Sequence, residues 1–150
     1  MIGSGYWPFR NTPGQTDPHR ITTSGVTGMI VTGDGVSTEA DTVQPTVSGS
    51  MVGIGVITTP QGDPNNGGAF LSGVVVEVTK TGTVPVLLVD GTYAKNDQII
   101  PSQAVAGYGK KIGSESGTIS VIGTYVDAAK TLTSGGFGSV QLAITPLTRP

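Results

Sequence analysis

The sequence predicts an all-β protein, built as a small barrel of short antiparallel strands. The first observation is composition: β-branched Val, Ile and Thr fill one third of the 150 residues, whereas Ala, Leu, Glu, Lys and Arg together supply one sixth. β-Branched side chains lose rotamer freedom in helices and pack well on a pleated sheet. The second observation is spacing. Apolar runs recur at intervals of about ten residues between Gly, Pro and Asp, which is typical of sandwiches and small barrels.

Seven segments carry this strand signal. They are residues 26–32, 51–59, 70–80, 83–89, 97–100, 118–126 and 138–145. The third is the clearest, because Val74, Val76 and Val78 alternate with Val75, Glu77 and Thr79, a pattern that predicts one face on a core and one in water. Two stretches, 102–106 and 127–132, are predicted to form short helical turns instead.

The chain divides into an arm, residues 1–22, and a barrel domain, residues 23–150. The arm contains Pro8, Pro13 and Pro18 together with three Gly, and it shows no apolar periodicity of either kind. Proline fixes its own backbone angle and lacks the N–H that a helix or a central strand needs. We therefore expect an extended segment that takes no part in the core.

Aromatic residues cluster in this arm. Trp7, the only tryptophan of the chain, stands between Tyr6 and Phe9. Aromatic side chains bury a large area at a low entropy cost and are enriched among the anchors of protein interfaces. The residues predicted to contact another chain are Tyr6, Trp7, Pro8, Phe9 and Arg10. The alternative is that the arm folds back over the open end of its own barrel.

Composition and charge exclude several classes of function. The formal net charge is −2, with only 18 charged residues, so the broad positive surface of a nucleic-acid-binding protein is missing. The absence of Cys excludes disulfides, thiolate metal sites and thiol nucleophiles. Residues 42–62 carry no charge, but Pro45, Pro60 and four Gly argue against a membrane span.

No residue pattern predicts catalysis, a cofactor or a metal site. A Ser-His-Asp triad needs a rigidly held imidazole, and the only histidine, His19, falls in the predicted arm. Most Asp residues stand beside Gly or Asn, where they are typical of turns. Asp63 and Asn65 lack the remaining ligands of a calcium loop, and residues 107–111 lack the first Gly and the final Ser or Thr of a phosphate loop.

Three segments in the second half of the chain follow one another in a recognisable order. They read GTVPVLLVDGTYAKNDQIIPS at 82–102, ISVIGTYVDAAKTLTSGG at 119–136 and SVQLAI at 139–144, with a Gly-rich link between the first two. In this order of strands and glycines, an apolar-Gly-apolar strand runs into a small Ala-rich turn before a last Val-rich strand. The region resembles the head decoration, or capsid cement, proteins of tailed bacteriophages.

The resemblance implies a small β-barrel or β-tulip body and homotrimers at the threefold and local threefold positions of an icosahedral head. It implies a virion protein on the outer surface of the capsid, which stabilises contacts between capsomers of the major capsid protein without catalysis. An N-terminal arm that augments or overlaps the major capsid protein also occurs in this class, but the contact role predicted for the arm of this chain rests on its composition alone. Tyr93, Tyr108 and Tyr125 are candidate trimer or rim contacts.

A second function remains open from the sequence. A receptor- or glycan-binding β-module of a phage tail fibre or adhesin also uses Gly- and Thr-rich β-structure and trimers. In such a module the three tyrosines would be ligand contacts, since binding sites combine aromatic surfaces with a few polar groups. A hydrolase on a β-scaffold is the third class, and no convergent polar set supports it.

Overall fold

The computed structural model describes residues 16–33, 41–60, 62 and 64–150. Over these residues the chain is all-β, as its composition predicted, with a single 3-10 turn at Pro64–Asn66. The strands are β1 (Thr16–Ile21), β2 (Ile30–Gly33), β3 (Thr42–Pro45), β4 (Gly55–Ile57), β5 (Val75–Thr79), β6 (Thr81–Leu88), β7 (Gly91–Tyr93), β8 (Gln98–Pro101), β9 (Gly109–Lys111), β10 (Gly117–Tyr125), β11 (Lys130–Leu132) and β12 (Gly136–Arg149).

The first five strands form a closed barrel in the order β1-β3-β2-β4-β5. The antiparallel pair of β1 and β5 closes it, with Thr16 opposite Thr79. The contact between β1 and β3 is parallel and short, with Ile21 opposite Val43. One apolar cluster belongs to this barrel alone; its buried members are Ile21, Val31, Val43, Ile57, Phe70, Val76 and Val78.

Five later strands form a second closed barrel in the order β10-β12-β6-β9-β8. The two longest strands of the chain, β10 and β12, pair antiparallel in its wall. Their register shifts between Val121 and Gly123, because β12 carries an extra residue there. A Cβ on Gly123 would collide with the carbonyl oxygen of Gln141, so the bulge requires glycine. Strands β7 and β11 pair separately as a two-stranded sheet.

Strands β2 and β4 of the first barrel pack against the second barrel and form a shared layer between the two. Neighbouring residues of a strand face opposite sides, so Val31 and Ile57 point into the first barrel while Ile30 and Val56 join the cluster of the second. This double burial explains why both strands are continuous apolar runs instead of alternating ones. Backbone hydrogen bonds join the barrels as well; they run from Leu87 N to Gly28 O (2.9 Å), from Ile30 N to Gly107 O (2.7 Å) and from Ser120 N to Met51 O (2.8 Å).

Several sequence predictions need correction. Residues 102–106 are not a helical turn, and 130–132 form β11, in which Lys130 pairs with Tyr93. The alternation predicted for residues 70–80 is confirmed from Val75 to Val78, where Val76 and Val78 are buried and Val75 and Glu77 are exposed. It is wrong at Val74, which is exposed, and at Thr79, which is buried. Strands β1, β3, β7, β9 and β11 were missed, because a strand of three to six residues with few apolar side chains leaves no periodic signal.

The predicted boundary of the arm at residue 22 is wrong, because residues 16–21 form β1 of the first barrel. Pro18 is tolerated there for a geometric reason. Pro18 is paired with Glu77 on β5. The carbonyl oxygen of Glu77 accepts from Thr58 N–H, and its own N–H donates to Thr59 Oγ1, so both groups point away from β1. Pro18 and Glu77 are therefore a non-hydrogen-bonded pair. The nitrogen of Pro18 therefore faces away from β5, toward the side where β1 has not yet met β3.

Candidate functional site

Charged side chains in the described part of the chain largely satisfy one another. Ion pairs join Lys80 to Asp17 (3.3 Å), Lys111 to Asp97 (3.2 Å), Lys110 to Glu115 and Lys130 to Asp127 (4.0 Å). Arg149 donates to the carbonyl oxygens of Gly113 and Glu115. Among the described residues, no three His, Cys, Asp or Glu side chains come together in a way that would hold a metal ion. Such a surface favours partners that bind by apolar contact and hydrogen bonds.

His19 lies on β1, not in a mobile arm, and only 7% of its surface is exposed. Its Nδ1 lies 3.2 Å from the carbonyl oxygen of Asp41, which also accepts the backbone N–H of Arg20 at 3.0 Å. Since a carbonyl only accepts, Nδ1 carries the proton. The other ring nitrogen is buried and has no hydrogen-bond partner among the described residues. The imidazole thus links β1 by a hydrogen bond to Asp41, the residue directly before β3.

Tyr93 and Tyr125 cannot be trimer contacts, because both rings are buried inside their own subunit. Their centroids lie 5.7 Å apart with the planes tilted by 34°. The hydroxyl of Tyr93 donates to Val89 O (2.8 Å), and that of Tyr125 donates to Ala128 O (3.1 Å). Burial, reinforced by the charge of Asp90, raises the pKa of Tyr93 to about 12. The sequence could not separate these two from Tyr108, since all three stand near turns.

Tyr108 is the candidate tyrosine that reaches the surface. It is half-buried at the boundary between two concave regions and lines both of them. The larger, here called the tyrosine cleft, has a volume of about 750 Å³; its walls include Asp90, Thr92, Val105, Ile112 and Ser134. Its lining combines an aromatic ring with hydroxyls, one carboxylate and the side chains of Lys110 and Lys111.

The smaller region, here called the seam groove, has a volume of about 450 Å³; it is lined by Val26, Thr27, Pro60, Pro64, Gly67, Gly68, Leu87, Tyr108 and Phe137. Phe137 dominates it, with half of its surface exposed. The ring lies against Gly28, which has a φ of +91° and leaves no space for a Cβ. The groove therefore presents an exposed aromatic side chain where the two barrels meet.

Phe137 was missed as a candidate, although the sequence carried a signal for it. The alternation on β12 that buries Val140 and Leu142 directs residues 137, 139 and 141 the other way. An aromatic residue in an outward register is a candidate contact residue.

A third concave region lies beside the start of β1. This root groove has a volume of about 620 Å³; it is lined by Gly53, Ile54, Lys80, Thr81, Ala143, Ile144 and Thr145. Thr16 pairs with Thr79, and Asp17 forms an ion pair with Lys80 in the groove wall. The residues predicted as the contact cluster of the arm, Tyr6, Trp7, Pro8, Phe9 and Arg10, lie outside the described residues.

Comparison with protein-family models finds no match to this chain, and comparison with curated proteins finds none. Over the residues that the structure covers, no helix has the length and apolar character to cross a membrane. Function is therefore inferred from the residues and their geometry.

Proposed function

We propose that this protein is a capsid decoration, or cement, protein of a tailed bacteriophage. It binds as a homotrimer to the outer surface of the head and braces neighbouring capsomers of the major capsid protein. The body supplies a rigid double barrel, and residues 1–15 supply an aromatic anchor.

The observation that carries the proposal is the chemistry of the described surface. Four ion pairs take up eight of the fourteen charged side chains among the described residues, while Phe137 and the seam groove expose apolar area. Exposed apolar patches on soluble proteins often mark sites of protein association. A protein that docks on a preformed shell needs such a surface and needs no convergent set of catalytic groups.

The resemblance to decoration proteins gives independent support. The residues that carry it, 82–144, span most of β6 through most of β12, and these strands build the second barrel. The apolar-Gly-apolar motif around Gly123 coincides with the bulge where β10 and β12 shift register. The similarity thus covers a structural unit, and the first barrel lies outside it.

Trimerisation would turn modest contacts into stable attachment. Burying roughly 500 Å² of apolar surface per subunit is worth on the order of 10 kcal/mol before the costs of ordering are subtracted. Once one subunit has docked, the other two bind at a high effective concentration. An extended arm can also add a strand to an exposed sheet edge of the shell, through main-chain hydrogen bonds that need no charge.

The proposal is tested with phage heads and two forms of the protein, the full chain and residues 16–150. The shorter form keeps β1 intact, whereas a deletion to residue 20 would remove all but one residue of the strand that closes the first barrel. We expect the shorter form to fold and trimerise yet to lose head binding. Unchanged occupancy of the heads by residues 16–150 would contradict the anchoring role.

A single substitution refines this test. Trp7→Ala should weaken head binding by about 2 kcal/mol per subunit, as expected for a truncated aromatic anchor. Binding is measured by titrating heads with labelled protein at two salt concentrations. Because the contact is apolar, affinity should change little with salt, and a steep loss between low and physiological salt would point to a charge-driven interface instead.

The tyrosine cleft favours the alternative function, a receptor- or glycan-binding module. Sugar and receptor sites combine an aromatic surface with a few polar groups, as Tyr108, Thr92 and Asp90 do here. Titration with oligosaccharides, followed by chemical-shift changes at Tyr108 and loss of binding in Tyr108→Ala, would support that reading. Head binding by the same variant at the wild-type level would keep the two functions separate.

A further inference from the structure

The root groove lies on the path by which the arm reaches the barrel. Strand β1 runs antiparallel to β5, with Thr16 opposite Thr79, so the chain that precedes Thr16 comes from the side of Lys80 and Thr81. Both of these residues line the groove. The ion pair of Asp17 with Lys80 fixes this end of β1 to the groove wall.

The groove suits aromatic side chains. Ile54, Ala143 and Ile144 give it an apolar lining, and the side chain of Lys80 can cover a ring with its alkyl stem. Its volume of about 620 Å³ falls within the range of roughly 300–1,000 Å³ found for pockets that enclose small ligands. The groove is shallow and open to solvent, so it can cover one face of the aromatic cluster.

The length and sequence of the arm favour docking on its own subunit. Phe9 precedes Thr16 by seven residues, which span at most about 23 Å when extended. Pro13-Gly14 is a strong turn signal directly before β1. A turn at that position would bring the aromatic cluster back toward the root of the arm.

We propose that, in the free protein, residues 1–15 fold back and seat Tyr6, Trp7 and Phe9 in the root groove of the same subunit. The groove holds the apolar rings out of water until a capsid surface competes for them. The fold-back itself is independent of the partner, whereas its role in head binding rests on the proposed function. If the groove holds the arm about nine-tenths of the time, the apparent affinity for heads is reduced about tenfold.

Trp7 reports this contact directly, because it is the only tryptophan. In the folded full chain we expect blue-shifted emission and slow acrylamide quenching, compared with the urea-unfolded chain. Ala143→Arg places a bulky charge at an exposed position in the groove and should restore the quenching of the unfolded chain. Thr145→Arg, also exposed in the groove wall, provides a second variant with the same expectation. Ala129→Arg, exposed near β11 and away from the groove, is the matched control and should change nothing.

Three results would overturn the proposal. Trp7 could be as accessible in the folded chain as in the unfolded one, or its shielding could survive both groove substitutions. Shielding that disappears on dilution would assign the groove to the arm of a second copy.

Head binding separates this proposal from the proposed function. The Ala143→Arg protein should bind heads about tenfold more tightly than the unaltered chain, as expected when a competing state is removed. If Trp7 is shielded in the groove but neither protein binds heads, the fold-back stands and the capsid function fails. If heads bind the unaltered protein while Trp7 is exposed in solution, the capsid function stands and the fold-back fails.

Discussion

The two barrels have the same number of strands, but they depend on each other unequally. Each has five strands and a single parallel contact, between β1 and β3 in the first and between β6 and β9 in the second. The first barrel fills its interior with its own residues, whereas the cluster of the second includes Ile30 and Val56 from β2 and β4. The second barrel is thus completed by the outer face of the first.

The first barrel thus supports the second, and the two barrels carry different features. The second barrel contains residues 82–144, on which the proposed capsid function is based, together with the buried tyrosine pair and Phe137. The first carries the root of the arm and the layer on which the second barrel rests. We therefore expect the chain to unfold as one cooperative unit, in which damage to the shared layer spreads to both parts.

The largest expected effect comes from truncation in the shared layer. Ile30→Ala should lower the free energy of unfolding by about 2–5 kcal/mol, because Ile30 is fully buried and its loss leaves a cavity. Amide hydrogen exchange should accelerate in β6 and β10 as well as in β2. Chemical denaturation and exchange mass spectrometry measure the two effects.

Val43→Ala is the matched truncation inside the first barrel. Val43 is equally buried but belongs only to the first cluster, so exchange should accelerate mainly in β1, β3 and β5. Identical exchange patterns for the two variants would refute the asymmetry between the barrels.

A smaller effect is expected at the tyrosine pair of the second barrel. The folded-state pKa of Tyr93 is raised from 10 to about 12, so the buried hydroxyl favours its neutral form. The contribution of the Tyr93 hydroxyl to the free energy of unfolding is therefore fully present below pH 10 and is lost as the pH rises toward 12. Tyr93→Phe removes the bond to Val89 O, costs about 1 kcal/mol at neutral pH and should flatten the alkaline fall in stability.

Denaturation at several pH values between 8 and 12 tests this prediction. Tyr108→Phe, at the half-buried tyrosine of the surface, is the matched control and should keep the alkaline fall. If the stability of Tyr93→Phe falls as steeply at alkaline pH as that of the unaltered chain, another group causes the fall.

Glu115 and Asp127 are the described carboxyl groups whose pKa is lowered, and Glu115 is the more buried of the two. Although burial opposes ionisation, hydrogen bonds from Lys110 and from backbone N–H groups keep the pKa of Glu115 below its ordinary value. Its contribution is present above the unfolded-state pKa and is lost as the pH falls through the folded-state pKa. Glu115→Gln should reduce the fall in stability below pH 5 by less than about 1 kcal/mol, because Lys110 is partly exposed. An equally steep acid limb in this variant would assign the acid sensitivity elsewhere.

The smallest effect concerns the free edge of the second barrel. Strand β12 pairs with β6 only as far as Ala143, so its last residues have one open side among the described strands. Ser120 donates its N–H to Met51, which makes Ser120 and Pro146 a non-hydrogen-bonded pair and turns the nitrogen of Pro146 to the open side. Proline at such an edge blocks strand addition.

Pro146→Val restores an N–H to this edge and should promote weak self-association, worth about 1 kcal/mol or less for the added hydrogen bond. Sedimentation velocity over a range of concentrations measures it. A concentration profile identical to that of the unaltered chain would show that the edge is protected by other means.

The sequence predicted the fold class but not the division into two barrels. Strands β5 and β12 were predicted because apolar and polar residues alternate along them, and β10 was predicted because it is a long β-rich segment. The shared layer was not found, since a run such as Ile30-Val31 is buried on both faces and gives no sign of which barrel each side chain enters.

The candidate site was predicted only in part. Tyr108 reaches the surface, whereas Tyr93 and Tyr125 turn inward, and nothing in their neighbouring residues distinguishes the two situations. Pro18 favoured an arm over a strand, and only the register of β1 against β5 explains why proline is accepted there. Side-chain direction at a turn and strand register depend on distant residues, so local sequence cannot supply them.

The most direct test of the central claim is the stoichiometry of binding to phage heads. Purified protein is mixed with expanded heads, the heads are sedimented, and the bound copies are counted for each threefold position. We expect saturation at three copies per position with the full chain and none with residues 16–150. Bound copies that do not saturate in multiples of three, or an absence of co-sedimentation, would contradict a trimeric decoration protein.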